Sequence, residues 1–571
     1  MAMHAEARAL LDRVTAQLQA ARDLTRSADW VAKNTAHPKK FPAPWTFEGH
    51  EFQVGIMNDS RPKGSIRKCS QVGMSEVSVR LMLALLSIYQ GYTGIYTLPT
   101  TGFARKFAKS RIDPVISKSA VLRPMVPTEV DSSELKQIGD SFLYITGTYG
   151  QVSAISVPGD ILFKDEVDFS NPVVLSTFSS RLGHAEGGGV DREFSTPTVH
   201  GYGISESFEQ SSQAYYMVKC DKCGSWELPD FYQDIVIPGF DQSIVEFDKA
   251  ALRDPQVRAD DAYIRCPRCH HPLSAANLTD PAKRQWVEKV ENKDHGGWQV
   301  YPWDVYAVNP IARTLKYVND YERLADWVNF KVGLPFEDAE TAFVPDVVKA
   351  MFQLQHVPAR RGAATGCVMG VDVGKTSHLL IGKRMSPTRF DLLHAERITQ
   401  TSEGRLVDRI LELADWFGAS KLVIDAMPDF STPLYVISRL PMGQAYACYY
   451  MNNPNKKELD DLRADPDTGV VHAFRTGTFD TTVKAVNTGQ VVAAQLDAAE
   501  RKEFEDHLGA MKRVNKESAS GERVASWVAV KADHYAHALN YLMIADQLCD
   551  EKYGSGSVAC LPHAAKVRMK S

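Results

Sequence analysis

The chain has no apolar run approaching the roughly 18 residues that would suggest a membrane span. Its first stretch, MAMHAEARALLDRVTAQLQAARDL, is charged throughout and lacks the apolar centre of a secretory signal. A membrane protein or a secreted one is therefore not expected, and the chain is placed in the cytoplasm. Nine cysteines in that setting do not make a disulfide framework. An excess of positive charge is missing too. With 65 basic and 70 acidic side chains the formal net charge is −5. That does not point to a passive nucleic-acid coat, and it leaves room for DNA binding through local patches, such as RPKGSIRK (61–68), FARKFAKSR (103–111) or KVRMK (566–570). Internal repeats are absent as well. What remains is an ordinary globular composition, 44% hydrophobic and 24% charged, in a chain of 571 residues. That length calls for two to four domains.

Apolar patterning supplies the elements. Residues 78–90 (SVRLMLALLSIYQ) have helical length and an apolar face. GIYTLPT (94–100), SFLYITGT (141–148) and DILFKDEVDF (160–169) read as buried strands, and FSTPTVHGYG (194–203) ends another. Strands alternating with helices predict an α/β domain on a largely parallel sheet. QHVPARRGAATG (355–366) reads as a linker. A second α/β unit then begins with CVMGVDVGKTSHLLIGKRM and continues through KLVIDAMPD (421–429). A long helix lies within 527–548, and a Gly/Ser-rich tail follows Tyr553.

The segment KCSQVGMS (68–75) has most parts of a phosphate-binding loop. A P-loop reads G-x-x-x-x-G-K-[ST], its backbone N–H groups cradling phosphates at a helix start. Here Gly73 and Ser75 fit, Met74 takes the lysine slot, and Lys68 stands at the front of the loop. An ordinary strand–loop–helix connection would look similar. ILFKDEVDFS tips the balance, because a buried strand ending in Asp165–Glu166 has the Walker B form. The first acid serves Mg²⁺ and the second orients the attacking water or takes its proton. STPT (195–198) follows, with Ser195, Thr196 and Thr198 able to sense a γ-phosphate; alone it would be a simple turn. Trp45 in FPAPWTF is a candidate for adenine stacking or for the core.

CDKCG (220–224) and CPRCH (266–270) are two C-x₂-C hooks, and Cys220, Cys223, Cys266 and Cys269 suit a closed structural Zn²⁺ site. His270 and His271 are alternatives for one ligand. Cys69, Cys367, Cys448, Cys549 and Cys560 are expected to pack.

In the second unit, Asp372 closes one strand, Asp425 a later one, and Asp533 starts the long helix. Any one of them is explained by a strand end or a helix cap. The order strand acid, strand acid, helix acid is the RNase H arrangement, in which carboxylates converge on two Mg²⁺ or Mn²⁺ ions. His537, one turn after Asp533, and Asp429 and Asp480 are reserve candidates.

This ordered set resembles the large subunit of tailed-phage terminases, in the lambda-like, GpA-type branch. The family's loop has the form K-S-A-R-V-G-Y-S, which KCSQVGMS matches at Lys68, Val72, Gly73 and Ser75, with Cys69 in place of a serine. The resemblance spans about residues 40–550; Glu76 departs from it where a basic residue would stand. It implies an ATP-driven DNA-packaging motor joined to an endonuclease. The fold it implies is a P-loop (ASCE-like) α/β ATPase domain with a zinc-binding insertion, followed by an RNase H-like α/β nuclease domain. The domains would be an N-terminal helix at 1–35, the ATPase at 36–355 with the insertion at about 215–275, a linker at 356–366, the nuclease at 367–552 and a tail at 553–571. By resemblance, Lys68, Cys69, Ser70, Gln71, Val72, Gly73, Met74 and Ser75 bind ATP, Asp165 and Ser75 hold its Mg²⁺, and Glu166 is the catalytic carboxylate. STPT couples hydrolysis to DNA movement, while Asp372, Asp425 and Asp533 hold the nuclease metals. The implied partners are viral double-stranded DNA, a small terminase subunit at the N-terminal helix, the portal at the tail, and further copies in a ring. The implied setting is the host cytoplasm, docked in passing on a procapsid. Three rivals stand beside this: a helicase–nuclease, a non-catalytic zinc-bearing DNA-binding scaffold, and a structural ATPase with an inert second domain.

Overall fold

The computed structural model describes residues 26–148, 157–185, 189–399, 403–451, 462–517 and 523–549. Most of the 1–35 segment, the whole 553–571 tail and Cys560 lie outside them. Within the first segment a helix covers Ser27–Asn34. The described residues form two compact units, the first reaching to Phe336 and taking in 515–517 and 523–524, the second made of the rest.

The first unit is built on one large sheet. Its strands are β1 (Lys63–Lys68), β2 (Thr93–Leu98), β3 (Leu135–Ile138), β4 (Ser141–Gly147), β5 (Ile161–Asp165), β6 (Val190–Ser195), β7 (Ala214–Lys219), β8 (Trp226–Glu227), β11 (Arg284–Glu288) and β12 (His295–Val300). A separate two-stranded pair comprises β9 (Ile235–Val236) and β10 (Tyr263–Ile264). The large sheet runs β11-β7-β12-β1-β6-β5-β2-β4-β3, with β8 on β7. From β7 to β4 every pairing is parallel, as the alternating pattern predicts. Antiparallel β11, β8 and β3 sit at the margins. Helix α1 (Met74–Ile88) follows β1 and is buried nearly all round, with Met82 to Leu86 wholly covered, which is why SVRLMLALLSI carries so little charge.

The cysteine-bearing excursion runs between β7 and β11 and lays one strand, β8, on the sheet. Its core includes Phe231, Phe247 and Trp327. The start of the span expected to be an insertion, 215–219, is thus part of strand β7 of the main sheet.

The second unit has a nine-stranded sheet ordered β13-β21-β16-β15-β14-β17-β18-β20-β19. Its strands are β13 (Phe352–Leu354), β14 (Cys367–Asp372), β15 (Thr376–Ser386), β16 (Arg389–Thr399), β17 (Ala419–Asp425), β18 (Ala445–Met451), β19 (Leu462–Asp465), β20 (Val470–Phe474) and β21 (Val491–Ala494). β14, β15 and β16 form an antiparallel meander. β17, β18 and β20 extend β14 in parallel. Edge strand β13 belongs here, because Phe352 pairs with Ala493. Helices α2 (Ala498–Gly509) and α3 (His534–Gln547) complete the site-bearing elements. α3 lies so close on β14 that a side chain at Gly370 would meet the Leu542 nitrogen at 2.2 Å.

Candidate functional site

β1 delivers Lys68 to the carboxyl end of the parallel sheet, and the loop turns there into α1. Gly73 makes the turn with φ +77°, and a Cβ on it would press on Gln53 Nε2 at 2.9 Å. The loop is pinned by Cys69 N–H to Val300 O (3.1 Å) and Ser70 N–H to Phe330 O (2.6 Å). Val72 and Met74 anchor it in the core; Met74 is only 4% exposed, so the usual lysine slot is filled by a hydrophobe. No side chain caps α1, whose first-turn N–H groups are thereby left for a ligand. Cys69 is buried, and burial pushes its thiol well up.

The neighbouring strands bring the acids. β1 pairs with β6 and β6 with β5, so Lys68, Ser195 and Asp165 end adjacent strands. Lys68 Nζ lies 3.1 Å from Glu166 Oε1. Burial alone would lower the Lys68 pKa, but Glu166 and Asp165 more than offset it and hold the ammonium above its ordinary range. Burial, and then the Glu166 charge, push Asp165 up to about 7 against the pull of Lys68, Tyr96 and Ser75. Tyr96 OH donates to Asp165 Oδ2 at 3.0 Å. Asp165 Oδ1, Ser70 Oγ and Thr196 Oγ1 are buried with no hydrogen-bond partner among the described residues. Such atoms on the loop and at the ends of the neighbouring strands β5 and β6 fit a polar ligand carrying phosphate and a cation. Glu166 itself is left-handed at φ 56°, a strained backbone for a non-glycine residue that aims its carboxylate from the strand end.

STPT joins this centre through Asp168, a residue the sequence pattern did not single out. Ser195 Oγ lies 2.8 Å from Thr196 O and 3.3 Å from Glu166 Oε2, its one proton serving either acceptor, and it receives the Asp168 N–H at 3.4 Å. Asp168 is fully buried and accepts from Thr198 N–H and Oγ1, both at 2.8 Å, and from Ile204 N–H at 2.7 Å. Burial pushes it up to about 7 despite those donors. The signal was the third acid of DEVDF, sitting in a segment too apolar for a solvated charge. Trp45 has its ring covered by the Arg80 guanidinium at 3.8 Å, so one of its faces is taken within the protein.

The four cysteines come together. Cys220 follows β7 and Cys266 follows β10, and all four sulfurs lie within 4.8 Å of one another. Cys220 and Cys269 are 3.8 Å apart, as are Cys223 and Cys266. A tetrahedron of thiolates about 2.3 Å from Zn²⁺ has edges of about 3.8 Å. The donor set therefore fits zinc without His270 or His271. Cys69, Cys367 and Cys448 are buried and Cys549 is partly so, as expected of packing cysteines.

In the second unit Asp372 and Asp425 end adjacent parallel strands, one step beyond the Val371–Ile424 pair. Burial, with the Asp372 charge adding to it, pushes Asp425 up to about 6, against Met427 N–H and Tyr541. Asp533 precedes α3 and pairs with His537 Nε2 at 3.1 Å. Burial would raise its pKa, but His537, His534 and Arg475 bring it below the ordinary value. Among the described residues the three aspartates do not form a group with oxygens all within 4.8 Å of one another. Asp372 forms one with His378 and His534, and His378 forms another with Glu503 and His507. These histidines and Glu503 were missed, because they come from β15, α2 and α3 and share no local motif. Asp429 and Asp480 have structural partners instead: Asp429 accepts from Thr432 Oγ1 (2.7 Å), and Asp480 from Trp527 Nε1 (2.7 Å) and Arg513 Nε (2.8 Å).

Residues 40–286 match the family model described as phage terminase large subunit gpA, ATPase domain. No curated protein matches the chain. Among solved structures, the chain is similar to the HK97 bacteriophage large terminase, at 11% identity over 90% of this chain and 98% of that one, TM-score 0.48. It is also similar to the large terminase of thermophilic bacteriophage D6E in complex with ADP, at 9% identity over 91% and 97%, TM-score 0.31. A third likeness is to the large terminase nuclease of thermophilic phage G20c, at 15% identity over 36% and 98%, TM-score 0.24.

Proposed function

We propose that this chain, whose residues 40–286 match the ATPase domain of the phage terminase large subunit gpA, is a terminase large subunit that drives viral double-stranded DNA into a procapsid and cuts concatemeric DNA. The observation that carries the motor half is the meeting of Lys68, Ser75, Asp165, Glu166 and Ser195 at one sheet end, around three buried polar atoms without partners.

In this mechanism the loop N–H groups and Lys68 bind the ATP phosphates. Mg²⁺ held by Ser75 and Asp165 would neutralise charge on the phosphate oxygens. With the phosphates drawing Lys68, Glu166 gives up its 3.1 Å ion pair and becomes free to take a proton from the attacking water. Ser195 senses that change at Glu166, and Asp168 passes it to Thr198 and to the helix beginning at Gly203, the route by which hydrolysis moves the DNA-gripping surface. The four cysteines would hold Zn²⁺ as a structural clamp on the excursion after β7. In the second unit, an RNase H-like nuclease in this reading, Asp372, Asp425 and Asp533 would hold Mg²⁺ or Mn²⁺, whose chemistry there would be to activate water and to stabilise the leaving oxygen. The small terminase subunit, the portal and a ring of copies are the partners proposed with this activity.

The test is twofold: DNA-stimulated ATP hydrolysis, and cleavage of supercoiled plasmid with Mg²⁺ or Mn²⁺ by wild type and Asp372→Ala. Hydrolysis together with nicking and linearisation that vanish in the variant is the expected outcome. Cleavage that persists in Asp372→Ala refutes the acidic centre. One second reading has an observation of its own. The ion pair that occupies Lys68 favours a scaffold with a dead ATPase, and measurable ATP hydrolysis eliminates it.

A further inference from the structure

Two strands and a helix place imidazoles at the acidic centre. Asp372 and His378 are cross-strand partners on β14 and β15, so their side chains leave the sheet on the same face. His534 opens α3. One ligand atom from each lies within 4.8 Å of the other two. Asp372 Oδ2 and His534 Nδ1 are 2.9 Å apart. Two neighbouring ligands of an octahedral ion, each about 2.1 Å from it, stand about 3.0 Å apart. The rings of His378 and His534 lie parallel, with centroids 5.1 Å apart.

His378 is 1% exposed, and its Nε2 lies 3.3 Å from Glu503 Oε1. With Nε2–H donating to that carboxylate, Nδ1 keeps its lone pair. Nδ1 is buried and has no hydrogen-bond partner among the described residues. A carboxylate behind an imidazole is the usual way a metal-binding histidine is oriented. His507 differs, because its Nδ1 accepts the Tyr535 N–H at 3.3 Å, which puts the proton of the neutral ring on Nε2. It is therefore left out of the ligand set.

We infer that Asp372, His378 and His534 form a metal position with two nitrogen ligands, which selects a transition ion over Mg²⁺. Mg²⁺ takes oxygen ligands and sheds water reluctantly, whereas imidazole suits transition ions such as Fe²⁺, Ni²⁺ and Zn²⁺, with Mn²⁺ the weakest binder of that series. The inference deepens the nuclease reading by assigning residues outside the aspartate triad to the same centre.

The probe is Mn²⁺ added to chelator-stripped full-length protein. Bound Mn²⁺ is expected to show ¹⁴N modulation from imidazole in pulsed electron paramagnetic resonance. Its affinity is expected to fall roughly 10-fold or more in His378→Gln. Only a large excess of Mg²⁺ should displace it. His534→Gln, at a more exposed position, gives the same readout if His378→Gln fails to fold. Bound Mn²⁺ without ¹⁴N coupling, unchanged affinity in both variants, or displacement by equimolar Mg²⁺ would each overturn the inference. Plasmid cleavage alongside nitrogen-free Mn²⁺ refutes the inference and leaves the nuclease standing. Nitrogen-coupled Mn²⁺ with no cleavage does the reverse.

Discussion

Lys68 is the residue on which the motor depends, so moving its charge is the sharpest perturbation. Lys68→Met keeps much of the side chain's length and removes the ammonium. The pair it breaks is 3.1 Å long, and at an effective dielectric of about 20 its attraction is roughly 5 kcal/mol. The Glu166 side chain is 26% exposed, so solvent screens part of that, and the apo fold loses less. In the transition state the lost charge faces developing phosphate charge, where one preorganised donor is worth about 3–4 kcal/mol, or roughly 10²–10³ in kcat. The informative partner is Met74→Lys, which puts a lysine in the usual P-loop slot after Gly73. Met74 is 4% exposed within the first core, so a lysine there must bury its ammonium among apolar neighbours. The double variant Lys68→Met/Met74→Lys is therefore expected to stay as inactive as Lys68→Met and to be less stable. DNA-stimulated ATP hydrolysis, ATP binding at equilibrium and thermal unfolding measure the three consequences. Recovery of hydrolysis in the double variant to within a few-fold of wild type would refute the placement of the lysine.

Asp168→Asn tests the link to STPT. Burial raises the Asp168 pKa from 3.8 to about 7, so the folded state holds its proton more tightly than the unfolded one. Stability then falls as pH rises from about 4 to about 7, by roughly three units at ~1.36 kcal/mol each, or about 4 kcal/mol. The variant should lack that share of the slope in melting temperature against pH; parallel profiles would refute it. Cys223→Ser should drop bound zinc, measured by elemental mass spectrometry, from about one ion per chain toward none, while unchanged zinc would reassign the ligands. Asp425 must be ionised to ligate a cation, and burial holds it at about 6. Metal-dependent cleavage should therefore rise with pH through about 6 and vanish in Asp425→Asn, and a flat profile between pH 5 and 7 would count against that role.

What was legible in the sequence was what neighbours in the chain determine. ILFKD and KLVID read as strands because β5 and β17 are covered on both faces and carry continuous apolar runs. The loop Lys68–Ser75 showed itself because strand, turn and helix are consecutive. The cysteine hooks showed themselves because each C-x₂-C is local, although β8, β9, β10, a short helix and three 3-10 turns separate the pair. Long-range choices were not legible. β12 returns to lie beside β1, a crossover that no periodicity announces. β13 is three residues long and joins the second sheet through Ala493, well away in sequence. Asp168 looked like a spare acid until its three donors, drawn from STPT and the helix after it, were seen around it. His378, His507 and Glu503 each resemble an ordinary surface or core residue in their own segments, and only the packing of β15, α2 and α3 brings them together.

Both centres share one electrostatic plan. Each has a carboxylate at the end of a buried parallel strand, placed beside a second carboxylate: Asp165 beside Glu166, and Asp425 beside Asp372. In each case burial and the like charge raise the pKa, to about 7 and about 6. Such a pair is destabilised when fully ionised and relieved by any cation that enters. In the first unit the resident cation is Lys68, and its pair with Glu166 fills that role when no nucleotide is bound. In the second, His534 Nδ1 stands 2.9 Å from Asp372 Oδ2 and His537 Nε2 stands 3.1 Å from Asp533 Oδ2. In the first unit that pair gives Glu166 a cation that entering phosphates can draw away. The same physics explains why the loop lysine stands at the front of the motif. From Lys68 it reaches the Walker acids directly, whereas from position 74 it would face the core.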